Sequence, residues 1–220
     1  MQTAAEIAQA AIKRVLPALR AGVSERQITA MLSRELLDAG SGPLPFEPIV
    51  AFGANSAVPH AIAGDKGLGE GQLIVIDWGA SYDGYVSDIT RTYALGPVDR
   101  ELRRVYGLVQ AANAAAREAA RPGASGEDID RAARAVIDEG GYGDYFVHRT
   151  GHGLGLEGHE NPGIVQGNRE PLPVGAAFTI EPGIYLPGRG GVRIEDDVVL
   201  TAEGHRCLTS LSRDLIELPL

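Results

Sequence analysis

Apolar residues recur at helical spacing from Ala4 to Leu19, and the same rhythm returns from Glu25 to Ala39. Ser24 followed by Gln27 supplies a capping box for the second run, and Gly40 supplies its stop. Short apolar runs bounded by turn residues predict strands over Pro48–Phe52, Leu73–Trp78 and Tyr85–Tyr93. Asp99 is placed to cap a third helix ending near Ala120, and a fourth runs from Glu127 to Asp138 before Gly140-Gly141. Strands return over Ala177–Ile184 and Gly191–Leu200. Helix, helix, strands is therefore written twice, which predicts an α+β fold.

The two halves also align by residue. AGVSERQI from Ala21 matches PGASGEDI from Pro122 at an offset of 101, and LGEGQLIVIDWG from Leu68 matches LPVGAAFTIEPG from Leu172 at an offset of 104. Asp77 falls on Glu181 in the second match. The expectation is an internal pseudo-twofold repeat, about 1–98 and 99–220, within one domain spanning 1–220.

Composition narrows the function. A chain of 220 residues that is 44% hydrophobic supports one substantial core. A net charge of −9 with scattered basic residues argues against a nucleic-acid partner. No apolar run approaches the length of a membrane span, and a single cysteine, Cys207, offers no disulfide or thiolate cluster. A cytoplasmic protein is the resulting expectation.

Two segments share one design: an apolar run ending in an acid, a glycine-bearing turn, and a second acid on the return. They are LIVID(77)WGASYDGYVSD(88) and AFTIE(181)PGIYLPGRGGVRIE(195). With turns near Asp83 and Gly188, hairpin arithmetic sets Asp77 opposite Asp88 and Glu181 opposite Glu195, with Cβ atoms roughly 4.5–5.5 Å apart. Buried like charges so close require counter-charge, and two divalent cations about 3.5–4 Å apart would supply it. Asp65, Asp83, Asp196 and Asp197 lack this symmetry and read as turn or surface residues.

Five histidines are available. His152 and His159 lie in the glycine-rich GHGLGLEGHE, which lacks the spacing of a helical zinc motif, and His60 ends the turn-rich AFGANSAVP run. Each is open to a functional role or a local hydrogen bond, while His148 and His205 have no motif behind them. Carboxylate with imidazole suits Mn, Co, Fe or Zn. Arg193, two residues before Glu195, can bind a substrate carboxylate or brace an acid.

Taken together, VIDWG, SDITRTY, TGHGLG, EGHE, IEPGIY and VRIEDD resemble the pita-bread metallopeptidases, which include methionine aminopeptidase, prolidase and aminopeptidase P. The resemblance covers nearly the whole chain and implies a curved antiparallel sheet with flanking helices. It also implies Asp77, Asp88, His152, Glu181 and Glu195 as ligands of two divalent ions, Mn2+ first, with Co2+ or Zn2+ as alternatives. His60 and His159 resemble the non-ligand histidines that contact the scissile peptide. Glu181 would shuttle a proton, Arg193 would stand near the bridging glutamate, and Tyr185 would support the pocket.

SDITRTY, EPGIY and GVRIEDDV resemble the proline-peptide branch more than methionine aminopeptidases, which end in a QxEHT-type signature. The resemblance implies a small Xaa-Pro peptide substrate, with a homodimer as an expectation. Larger prolidases carry an additional N-terminal domain, whereas this chain begins on the catalytic helix. Methionine aminopeptidase activity and a non-catalytic binding module are the two competing readings.

Overall fold

The computed structural model describes residues 1–220. Helix α1 (Gln2–Val15) buries Ala4, Ile7, Ala8, Ala11, Ile12 and Val15, one stripe at three- and four-residue spacing. Pro17 follows in a short 3-10 turn at Leu16–Ala18, so the predicted helix ends a turn early. Helix α2 (Glu25–Asp38) starts on the expected capping box between Ser24 and Gln27. Helix α3 (Arg100–Ala119) is capped by the Asp99 carboxylate, which accepts from Glu101 N and Leu102 N. Helix α4 (Gly126–Glu139) repeats the capping box with Ser125 and Asp128.

The strands are β1 (Ile49–Phe52), β2 (Leu73–Trp78), β3 (Ser81–Tyr82), β4 (Tyr85–Val86), β5 (Ile89–Leu95), β6 (Gly151–Gly153) and β7 (Glu160–Ile164). They continue as β8 (Ala177–Ile180), β9 (Gly183–Leu186), β10 (Gly190–Arg193), β11 (Asp196–Leu200), β12 (His205–Cys207) and β13 (Ile216–Leu218). A four-stranded sheet has the order β1-β2-β5-β13, and a five-stranded sheet the order β12-β11-β8-β6-β7. The hairpins β3-β4 and β9-β10 complete the set. Every strand pair is antiparallel except β5 with β13. This is the pita-bread arrangement, a curved antiparallel sheet with flanking helices.

Each half contributes its own apolar cluster. Ile12, Leu32, Leu36, Ile74 and Trp78 belong to one, whereas Val109, Ile129, Ile137, Phe178 and Val198 belong to the other. The correspondence reaches the backbone: the two N-cap serines form matching bridges, Ser24 with Gly67 and Ser125 with Pro171. No helix is long and apolar enough to cross a membrane.

Three predicted strands prove to be interrupted, each at an acid. The run expected over Tyr85–Tyr93 breaks between β4 and β5 at Ser87-Asp88. The run expected over Ala177–Ile184 breaks at Glu181-Pro182, and that over Gly191–Leu200 breaks at Ile194-Glu195. Pro182 has no N–H to donate, which ends β8. At the last two breaks the chain leaves the five-stranded sheet for the β9-β10 hairpin and returns, so both glutamates occupy the crossing points.

Register corrects one expectation and follows the other. Asp77 faces Thr90, not Asp88. The β3-β4 turn consists of Asp83 and Gly84 alone, both with positive φ (51° and 81°), so the hairpin centre lies between them and the pairing shifts by two. An opposed acid pair is thereby replaced by an acid and a hydroxyl. The second hairpin keeps its expected centre, with Gly183 opposite Arg193 and Ile180 opposite Asp196 on either side of the glutamates. Gly79 lies across the first break, where a Cβ would come 2.0 Å from Ser87 O.

Candidate metal centre

The four acids converge. Asp77 comes from β2, Asp88 from the gap before β5, and Glu181 and Glu195 from the two sheet crossings, with His152 at the centre of β6. His152 Nε2 is 3.3 Å from Glu181 Oε1 and 3.7 Å from Asp88 Oδ2. One ligand atom from each of Asp88, His152 and Glu195 lies within 4.8 Å of the others, which makes these three a metal-binding site.

Each member is held from behind. Asp88 N donates to the Asp197 carboxylate at 3.1 Å, and Thr90 Oγ1 donates to Glu195 Oε2 at 2.6 Å. Thr179 Oγ1 donates to Glu181 Oε1 at 3.1 Å and accepts from His152 N at 3.1 Å. His152 Nδ1 lies 3.0 Å from Gly153 O, a contact that places its proton on Nδ1 and turns the Nε2 lone pair toward the carboxylates. Arg193 Nη2 pairs with Asp77 Oδ2 at 2.7 Å, while its other nitrogens donate to Tyr185 Oη, Thr90 Oγ1 and Pro59 O. Bracing an acid is therefore what Arg193 does.

Electrostatics expose a deficit of positive charge. Burial, then Glu195 and Asp77, raise the Asp88 carboxyl well above the usual range. Burial, followed by Glu181 and Asp77, does the same to Glu195. Burial lifts Glu181 to about 7 despite the opposing charge of Arg193. Burial also lowers His152 to about 4, which keeps its imidazole neutral and ready to coordinate. Two buried oxygens, Asp77 Oδ1 and Asp88 Oδ1, have no hydrogen-bond partner. Unsatisfied buried carboxylate oxygens beside a neutral imidazole form a donor set suited to hard or borderline divalent cations.

A cavity of about 450 Å³ opens over this cluster, and its wall includes all eight residues selected from the sequence as ligands or catalytic groups. His60 and His159 are exposed on it, and the His159 ring stacks on His152 at 4.0 Å between centroids. Asp65 and Asp83 are exposed as expected, but Asp196 and Asp197 are fully buried, which corrects their reading as turn or surface residues. They continue the strand past Glu195 into the core, where arginines and the Asp88 amide satisfy them.

Sequence reasoning also passed over three other residues. His148 lines the cavity with Nε2 2.8 Å from Tyr185 Oη, so Tyr185 bridges it to Arg193. Arg149 lines the same wall. Asn113, buried on α3, donates to Ile180 O and Ile194 O, the carbonyls just before the two glutamates, and to Asp196 Oδ2. The adjacency of His148-Arg149 to TGHG was a usable signal; Asn113 left none.

Known proteins share this architecture. A Xaa-Pro dipeptidase of Pyrococcus furiosus is 44% identical over 98% of this chain and 62% of its own length. An X-Pro aminopeptidase of Thermotoga maritima superposes with a TM-score of 0.96 at 42% identity, over 99% of this chain and 62% of that one. A Xaa-Pro dipeptidase from Bacillus anthracis superposes equally well, at 0.96 and 43% identity, over 99% and 61%. The chain thus spans about three-fifths of the length of these relatives. Residues 1–202 match metallopeptidase family M24, and with the acid cluster and fold described above the chain belongs to that family.

Proposed function

We propose that this chain forms the catalytic body of a dinuclear metalloexopeptidase that hydrolyses the Xaa-Pro bond at the N-terminus of dipeptides or short peptides. The observation that carries the reading is the convergence of Asp77, Asp88, Glu181 and Glu195 on His152 with two carboxylate oxygens left unpartnered. Those five side chains would hold two divalent ions; the donors suit Mn2+, Co2+ or Zn2+, and the family resemblance puts Mn2+ first. Once bound, the ions would polarise the scissile carbonyl and acidify the attacking water. The names of the relatives support the substrate class.

The chain's own groups account for the remaining chemistry. Proline's amide is tertiary, so its nitrogen leaves as a secondary amine and needs a proton. Glu181 is the carboxylate placed to pass that proton. His60 and His159, exposed on the cavity wall, are the N–H donors for the carbonyl oxygen as charge develops on it. Arg193 holds Asp77 in place, and Tyr185 with His148 fixes Arg193.

Hydrolysis of Ala-Pro with Mn2+ present tests this. Asp88→Asn or Glu195→Gln protein that retains its circular dichroism is expected to lose at least about a thousandfold in kcat/KM. Wild-type rates in these variants would overturn the assignment. Preferential cleavage of Met-Ala would instead indicate methionine aminopeptidase activity. Metal binding without turnover of either peptide would leave a binding module.

A further inference from the structure

The cavity wall carries two arginines, and only one is committed to the protein. Arg193 is 3% exposed and commits four of its five N–H donors to Asp77, Tyr185, Thr90 and Pro59. Arg149 is exposed on the same wall, and its side chain has no ion pair or hydrogen bond. Its backbone is nevertheless fixed on both sides. The preceding carbonyl, of His148, accepts from Arg134, and the next residue, Thr150, donates from N and Oγ1 to Asp130. Thr150 O then accepts from Glu181 N at 2.7 Å, tying the segment to the acid cluster.

The position is electrically informative. The charge of Arg149 acts on Glu181, His152 and His159, lowering all three. Apart from the two arginines and the histidines, the ionisable groups of the wall are acidic: Glu47, Asp77, Asp88, Glu181 and Glu195. A peptide that ends one residue beyond the cut brings a carboxylate into this cavity. The acids repel it, Arg193 has a single N–H left over, and a guanidinium matches a carboxylate through two parallel N–H···O bonds, which Arg149 is free to offer.

We propose that Arg149 is a specificity-determining residue that receives the free α-carboxylate of an Xaa-Pro dipeptide, favouring dipeptides over C-terminally blocked or longer peptides. This rests on the Xaa-Pro reading and settles the length preference within it. Being exposed, the pair is partly screened, so the selectivity is about tenfold rather than thousandfold.

The test compares Ala-Pro with Ala-Pro-amide on the Mn2+-loaded protein. Wild type is expected to favour the free acid about tenfold in kcat/KM, mainly through KM. Arg149→Ala should bring that ratio close to one, Arg149→Lys should keep part of it, and Arg149→Glu should invert it. A ratio unchanged in Arg149→Ala, or an equal loss on both peptides, would overturn the assignment. Calorimetric titration with proline and prolinamide gives a second readout that needs no turnover, and the same collapse of preference is expected there. Should wild type cleave neither peptide, the Xaa-Pro reading falls and the titration alone decides the role of Arg149.

Discussion

Glu195 and Asp196 are consecutive, 1% and 0% exposed, and electrostatically opposite. Around Asp196, Arg91 donates at 2.8 Å, Arg213 at 2.7 and 2.9 Å, Thr209 at 2.7 Å and Asn113 at 3.1 Å. Burial pushes that carboxyl up, but Arg91 and Arg213 outweigh it and bring it down to about 2. Glu195 has one hydroxyl, from Thr90, and acidic neighbours, so burial prevails and its carboxyl rises. Burial alone does not decide whether a carboxylate stays charged; the number of cations built around it does. On one side of the strand the protein supplies those cations from its own arginines. On the other only Arg193, of the arginines, pairs directly with any of the four acids, a deficit that divalent ions would fill.

The strongest way to break this contrast is to impoverish Asp196. Arg91→Ala removes the more deeply buried of its two close guanidiniums and the hydrogen bonds to the Thr90 and Glu195 carbonyls, leaving a buried charge under-compensated. A loss of about 3–5 kcal/mol in urea unfolding is expected. A loss below about 1 kcal/mol would show that Arg213 suffices alone.

A smaller effect should appear on the other side when cations are supplied. Mn2+ at a hundred times its dissociation constant is expected to stabilise the protein by about 2.7 kcal/mol. Differential scanning fluorimetry would read this as a rise of about 5–10 °C in Tm, reversed by EDTA. Asp88→Asn should show less of the rise, and an identical rise would place the ion elsewhere.

The smallest signal is in pH. For Glu181 the folded pKa of about 7 exceeds the ordinary 4.5, so its contribution is complete below 4.5 and is lost as pH rises through about 7. His148 and His152, lowered to about 4, oppose this trend below 6.5 and have finished titrating above it. Metal-free protein should therefore lose stability as pH rises beyond about 6.5, by up to about 1.4 kcal/mol per unit for each proton released. Asp196 behaves in reverse, its contribution being lost as pH falls from 3.8 toward 2. Urea midpoints at pH 6, 7 and 8 check the first slope, which Glu181→Gln should flatten.

Legibility followed the range of the interactions involved. Helix boundaries were readable because Ser24, Asp99 and the glycines act within one turn of chain. The second hairpin was readable because its centre stayed at Gly188. The first was misjudged by two residues, because the positive-φ pair Asp83-Gly84 sets the turn and that conformation is not written in periodicity. Asp196 and Asp197 looked superficial because the sequence shows charge but not the Arg91 and Arg213 side chains that meet it.

Local order, the doubled helix-helix-strand plan and the identity of the acids belonged to the sequence, since each depends on residues near one another along the chain. Tertiary structure alone decided which carboxylates face arginines and which face each other. Several of those pairings join residues more than a hundred positions apart, as Asp88 with Asp197 and Arg91 with Asp196 do. At that separation neither spacing nor composition fixes a partner; only the packed sheets do.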